Sequence, residues 1–179
     1  MSLLDKVIAS VTPEADEDQR QTARTRAREL SGGSGWLALV LDHHEQVEAA
    51  FAAVKSAASP SSRRAAQREL AALLTGHSLA EEAVLYPAMA LSDQKTHSGE
   101  AYTQQSAAKV QIAALDDLEP MSQDYLDKLE HLRAAVAHHV YEEESSWFPK
   151  LRQVADPTLQ SRLTKRYGEE FTRYMGAQA

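Results

Sequence analysis

Cysteine is missing from all 179 residues of the chain. Disulfides, thiolate metal ligands and thiol nucleophiles are therefore excluded, which fits a reducing, cytoplasmic compartment. No apolar run approaches the roughly 20 residues that a membrane-spanning helix needs. The N-terminal Met1-Ser-Leu-Leu-Asp-Lys6 also lacks the anatomy of a secretory signal, so no membrane association is expected. Basic charge is short as well: 19 Lys and Arg stand against 26 Asp and Glu, a net charge of −7. Phosphate binding asks for a basic face, so no nucleic-acid partner is expected. Glycine (7) and proline (6) are scarce, β-branched runs are few, and Ala, Leu, Glu and Gln are plentiful. That balance predicts an all-α fold.

What is present is helical periodicity broken at a few places. Leu3, Leu4, Val7 and Ile8 fall on one side of a short N-terminal turn. A helix is predicted from Pro13 to Leu30, capped by Thr12, with Glu14, Asp16, Glu17 and Asp18 near its start and Arg24, Arg26 and Arg28 near its end. That charge order complements the helix dipole, and the arginine run reads as a solvated face. Ser31-Gly-Gly-Ser-Gly35 then serves as a flexible joint. Core helices are predicted over about 36–58, 62–91, 99–118 and 122–153, with Ser92 to Gly99 as a loop. Pro87 disfavours helix at Tyr86 and predicts a kink or an end there. Asp156-Pro157 opens a last amphipathic helix carrying Leu159, Leu163, Tyr167 and Phe171. The organisation is thus an N-terminal extension over 1–35, an antiparallel up-down-up-down four-helix bundle over 36–155, and a C-terminal helix over 156–179 packed on it.

One pattern occurs twice. His77-Ser-Leu-Ala-Glu81-Glu82 runs on to Tyr86-Pro87, and His139-Val-Tyr-Glu-Glu143-Glu144 runs on to Phe148-Pro149. Residues four apart share a helix face, so each segment aims an imidazole and a carboxylate at one point. Four of the seven histidines (His44, His77, His138 and His139) have Glu four residues on. The two clamps fall on the second and fourth core helices, which alternation of direction makes parallel, with His44 on the stripe of the first. A single histidine on an apolar stripe is ordinarily a hydrogen-bonded core residue. Several imidazoles and carboxylates together, with little positive charge on the core stripes, call for a cation. Imidazole and carboxylate donors without sulfur suit iron, manganese or zinc, and two carboxylates able to bridge favour two ions over one.

These motifs, together with Asp42-His43-His44-Glu-Gln-Val47, resemble the hemerythrin-like, or HHE cation-binding, family over about Trp36 to Leu151. The resemblance implies a four-helix bundle with two non-haem iron ions, oxo- or hydroxo-bridged, that binds or responds to dioxygen. The ligands it implies are His44, His77, Glu81, His139 and Glu143, with both glutamates bridging. His43 competes with His44, and His138 with His139. His44 is preferred because Val47 and Phe51 then fall in phase with the family pattern, and His139 because it stands ten residues before its proline, as His77 does. Glu82 and Glu144 are expected to orient ligating histidines or to lie at the surface.

The third core helix departs from the pattern. Where the family supplies histidine stands Gln105, with Lys109 four residues on. Gln105 through its amide oxygen, Glu48 or Tyr102 is the available replacement; otherwise one iron keeps an open position. Such a centre is expected to bind, sense or turn over dioxygen, nitric oxide or peroxide, including oxidase- or peroxidase-type turnover. The alternatives are an iron sensor or store and a metal-stabilised helical interaction module. The Glu-x-x-His hallmark of ferritin-like carboxylate enzymes is reversed here, with a spacing of four.

Overall fold

A computed structural model describes residues 15–178, with side chains through Gly176, and every regular element among these residues is helical. The order is α1 (Glu17–Ser31), α2 (Gly35–Ser56), α3 (Pro60–Ala80), a π-helical turn (Glu81–Leu85), α4 (Tyr86–Leu91), α5 (Lys95–Ala113), α6 (Gln123–Glu142), a second π turn (Glu143–Trp147), α7 (Phe148–Val154) and α8 (Pro157–Gln178).

Helix α1 starts at a capping box: Gln19 N–H donates to Asp16 Oδ1 at 2.8 Å, and Asp16 N–H to Gln19 Oε1 at 2.9 Å. The turn around Leu3 to Ile8 and the Thr12-Pro13 start lie outside the described residues. Gly32 ends the helix with φ 62°, the left-handed conformation that glycine adopts without a Cβ penalty. The arginines are not simply solvated, as the sequence suggested. Arg24 pairs with Glu48 at 2.9 Å and Glu144 at 3.0 Å, and Arg28 with Asp42 at 2.6 Å and Glu45 at 2.9 Å. They dock α1 onto α2 and the second π turn.

Neither proline ends its helix. The proline ring lacks an N–H and collides with the carbonyl four residues back, here that of Ala83 or Ser145. Each helix answers by widening: Tyr86 N–H donates to the carbonyl of Glu81, and Phe148 N–H to that of Glu143, five residues back. Tyr86 itself stays helical at φ −65°, ψ −39°. The predicted loop shrinks to residues 92–94, and α5 begins at Lys95, four residues earlier than expected. It also ends early, because Arg64 donates to the carbonyls of Leu115 (2.8 Å), Asp116 (3.2 Å) and Leu118, satisfying them in place of further helix.

The core comes in two apolar clusters. One gathers Trp36, Leu37, Leu41, Tyr86, Phe148 and Tyr167; the other gathers Phe51, Leu70, Leu115, Tyr125, Leu129 and Leu132. Along α2, His44 stands between Leu41 of the first and Val47 of the second, and along α3, His77 stands between Leu74 and Ala80. A polar layer therefore crosses the core. Helix α8 closes over α2 and α3. Its Leu163 and Tyr167 join the first cluster, and Gln160 and Thr164 accept from the indole and backbone N–H of Trp36 at 2.6 and 2.9 Å. Gly76 permits this approach, since a Cβ there would meet Met175 Sδ and Tyr174 Cδ1 at 3.1 Å.

Candidate metal centre

Helices α2, α3 and α6 aim His44, His77 and His139 inward, and each π turn opens on a glutamate. The i, i+4 spacing does what helical geometry requires. His77 Nε2 lies 3.3 Å from Glu81 Oε2, and His139 Nε2 lies 3.3 Å from Glu143 Oε1. His44 Nε2 stands across from both glutamates, 3.8 Å from Glu81 Oε1 and 3.3 Å from Glu143 Oε2. Glu81 and Glu143 are fully buried, as is His44.

Ligand atoms of His44, His77, Glu81 and Glu143 all lie within 4.8 Å of one another. His139 stands to the side of this group. Its Nδ1–H donates to Gln104 Oε1 at 2.5 Å, and its Nε2 lies 3.2 Å from Tyr86 Oη.

The remaining candidates are placed elsewhere. His43 Nδ1 bonds Tyr167 Oη at 2.8 Å, and its ring stacks on Phe171 with centroids 3.8 Å apart. His138 lies at the half-exposed edge, 3.6 Å from Glu142. Glu48 has 54% of its side chain exposed and is paired with Arg24. Tyr102 donates to the carbonyl of Glu82 at 2.6 Å and is 37% exposed. Gln105 does point inward, as its phase on α5 predicted, but its Nε2 donates to Glu81 Oε2 at 2.5 Å while its Oε1 has no partner. The two glutamates that follow the clamps part company. Glu144 is buried, accepting from His44 Nδ1 at 2.8 Å and from Arg24, whereas Glu82 pairs with Lys109 at 2.6 Å.

The electrostatics show a shortage of positive charge. Burial and the neighbouring Glu143 push the Glu81 carboxyl up to about 7. Burial would raise Glu143 too, but His139 and His44 outweigh it and hold that carboxyl below its ordinary value. Burial opposes charge on His44, yet the adjacent carboxylates of Glu143, Glu144 and Glu81 raise it well above the usual imidazole value. His77 is held well below that value, by burial and then by the charge on His44. Two facing carboxylates cannot both ionise cheaply in a dry site.

Besides Gln105 Oε1, three buried polar atoms in this layer, His44 Nε2, Glu81 Oε1 and Glu143 Oε2, have no hydrogen-bond partner. Leaving such groups unpaired is costly, and a cation between them answers all three. The donor set of imidazole nitrogen and carboxylate oxygen fits a non-haem divalent metal. Beside it lies a cavity of about 20 Å³, lined by His44, His77, Gln105 and His139 and by apolar Val47, Leu74, Ala108 and Val136.

Four side chains at this centre escaped the reading of the sequence: Tyr86, Tyr167, Gln104 and Arg24. Tyr86 sits inside the repeated motif, but period 3.6 turns it away from Glu81; only the π turn brings it back. Tyr167 reaches His77 Nδ1 at 3.2 Å from the far end of the chain, where the sequence offered just an apolar stripe.

Residues 37–157 match the family described as the hemerythrin HHE cation binding domain. The chain is also 32% identical over 98 residues to a curated protein described as a DNA nickase, from Nostoc sp. (strain PCC 7120). That stretch is 55% of this chain and 27% of the relative, so the similarity spans about a quarter of the relative's length. No solved structure matches at a significant level.

Proposed function

The chain belongs to the hemerythrin HHE cation binding domain family, and from that premise we propose that it is a non-haem di-iron protein. In this reading it binds, senses or turns over a small ligand: dioxygen, nitric oxide or peroxide. The observation that carries it is the convergence of three unpartnered buried atoms on one point next to a small, largely apolar cavity. A cavity of that size holds about one water-sized molecule, which suits a small ligand and no larger substrate. Iron is the metal proposed, with manganese and zinc as substitutes the same donors accept. The helices would form the family's up-down-up-down bundle, with α1 and α8 as additions.

Bound iron would supply a redox couple and a Lewis acid for the small ligand. The residues supply the rest. His44, His77 and His139 would hold the metal through Nε2, with Glu81 and Glu143 supplying carboxylate oxygens. Glu144 fixes the tautomer of His44 by accepting from Nδ1, and Arg24 fixes Glu144. The apolar lining limits water. The nicking activity of the Nostoc relative is not extended to this chain, whose −7 charge opposes phosphate binding.

Elemental analysis of protein purified under mild conditions tests this reading, with ultraviolet-visible spectra of oxidised and reduced forms. Iron close to two per chain and spectral change on adding dioxygen, nitric oxide or hydrogen peroxide are expected. Metal-free protein of full stability, or iron indifferent to all three ligands, would overturn it. The Arg24–Glu144–His44 chain favours a second reading, an iron sensor in which occupancy fixes the docking of α1. Protease cleavage within α1 that accelerates on iron removal would distinguish it.

A further inference from the structure

An oxygen outside the expected ligand set stands at the His139 side of the centre. Tyr86 Oη lies 2.8 Å from Glu143 Oε1, 3.1 Å from Glu81 Oε2 and 3.2 Å from His139 Nε2, and Gln105 Nε2 approaches it to 2.5 Å. A hydroxyl has one proton and can donate to only one of the two carboxylate oxygens, which leaves the other acceptor facing an oxygen lone pair. The spacings have another meaning. Two ligands at right angles on a metal with bonds of about 2.1 Å stand about 3 Å apart. Tyr86 Oη keeps that spacing from two carboxylate oxygens and an imidazole nitrogen, and His139 Nε2 lies 3.3 Å from Glu143 Oε1.

We propose that Tyr86 is a metal ligand: its phenolic oxygen, with His139 Nε2, Glu81 Oε2 and Glu143 Oε1, holds the second ion where α5 offers only Gln105. This rests on the metal-centre reading above. The π turn makes it possible, because hydrogen bonding five residues back puts Tyr86 on the same side of the helix as Glu81. Phe148 is its counterpart in the second motif and has no oxygen, so the two halves of the repeat differ in the atom that matters. Gln105 then acts as a donor to ligand oxygens and not as a ligand, its Nε2 serving both Tyr86 Oη and Glu81 Oε2. Ligation exchanges the hydroxyl proton for the metal and releases that proton to solvent, with no change of oxidation state. A phenolate is a hard donor that favours the ferric state, which sets this centre against reversible oxygen carriage.

The test is the visible absorption of the iron-loaded, oxidised protein, with resonance Raman spectra excited in that band. The sample is compared with protein grown on ring-deuterated tyrosine. A tyrosinate-to-iron band with deuterium-sensitive ring modes is expected, present in wild type and Tyr102→Phe and lost in Tyr86→Phe. Iron titration of Tyr86→Phe should show one ion bound as in wild type and the second weakened at least tenfold. Two bound irons without tyrosinate modes would overturn the proposal and leave the metal centre standing. A band kept by Tyr86→Phe, or lost in Tyr167→Phe instead, would also overturn it. A wild type that binds no iron would bring down both readings. If Tyr86→Phe fails to fold, as circular dichroism would show, the isotope shift in wild type still decides.

Discussion

Arg63 and His44 are both cationic or chargeable groups inside a helical core, and the protein finishes only one of them. Arg63 is buried at the end where α2 stops. Its guanidinium donates to the carbonyls of Val54 and Lys55 at 3.2 Å, and to those of Ala57 and Pro120 at 2.8 Å. Several of these are the unpaired acceptors at a helix C-terminus, where a cation is also favoured by the dipole. His44, about three turns back along α2 from that end, sits among carboxylates with its Nε2 unpartnered, and Glu81 and Glu143 each keep an oxygen unpartnered too. A buried polar cluster that closes on itself is architecture. One whose buried donors converge without hydrogen-bond partners fits a metal ion.

The sharpest way to break that contrast is to withhold metal. If the His/Glu layer depends on metal, chelation should lower the unfolding free energy by on the order of 4 kcal/mol relative to protein with metal at a thousandfold over its Kd. His77→Ala and Glu143→Ala should each abolish that difference along with bound iron. Thermal unfolding with elemental analysis checks both, and wild-type iron in either variant defeats the ligand assignment.

Arg63→Ala comes next. It strips charge-assisted hydrogen bonds from several carbonyls and should cost about 3 kcal/mol. Because that end is self-sufficient, the loss should be the same with metal or chelator in denaturant titrations. A metal-dependent loss would mean the two regions are coupled.

A smaller effect tests how the open region is supported from outside. Arg24→Ala removes the partner of Glu144 and should weaken iron binding about tenfold, as loss of an outer hydrogen bond does. Glu48→Ala, which breaks only the exposed arm of the same arginine, should change stability by less than about 1 kcal/mol and leave iron affinity alone. Competition titration against a chelator of known strength measures both. Equal effects would show that Arg24 merely anchors α1.

Smallest is Tyr167→Phe. The hydroxyl bonds His77 Nδ1 at 3.2 Å and His43 Nδ1 at 2.8 Å, so its loss should cost about 1 kcal/mol and lower iron affinity a few-fold. An unchanged affinity would confine α8 to packing.

Much of this centre was legible in the chain because two rules act locally. An imidazole and a carboxylate four residues apart share a helix face whatever surrounds them, so His77 with Glu81 and His139 with Glu143 were visible as pairs. Apolar phase placed His44 and Gln105 inward for the same reason. The reading failed where the period changed or where distant segments met. Pro87 predicted a kink or an end; the helix runs on through a widened turn instead, and that turn carries Tyr86 to Glu81. The loop over 92–99 failed because Ser98 finds the carbonyl of Tyr86 at 2.9 Å, a partner that exists only once α4 and α5 have packed.

Sequence by itself thus determined the helical class, the two clamps and the demand for positive charge between them, since these follow from composition and from spacing along one helix. Tertiary structure decided the rest. It chose Glu144 over Glu82 as the acceptor for a ring nitrogen, because α1 brings Arg24 to one and α5 brings Lys109 to the other. It also brought Tyr167 over His77, since the distance between residues 90 apart in the chain is settled only by how α8 packs on α3.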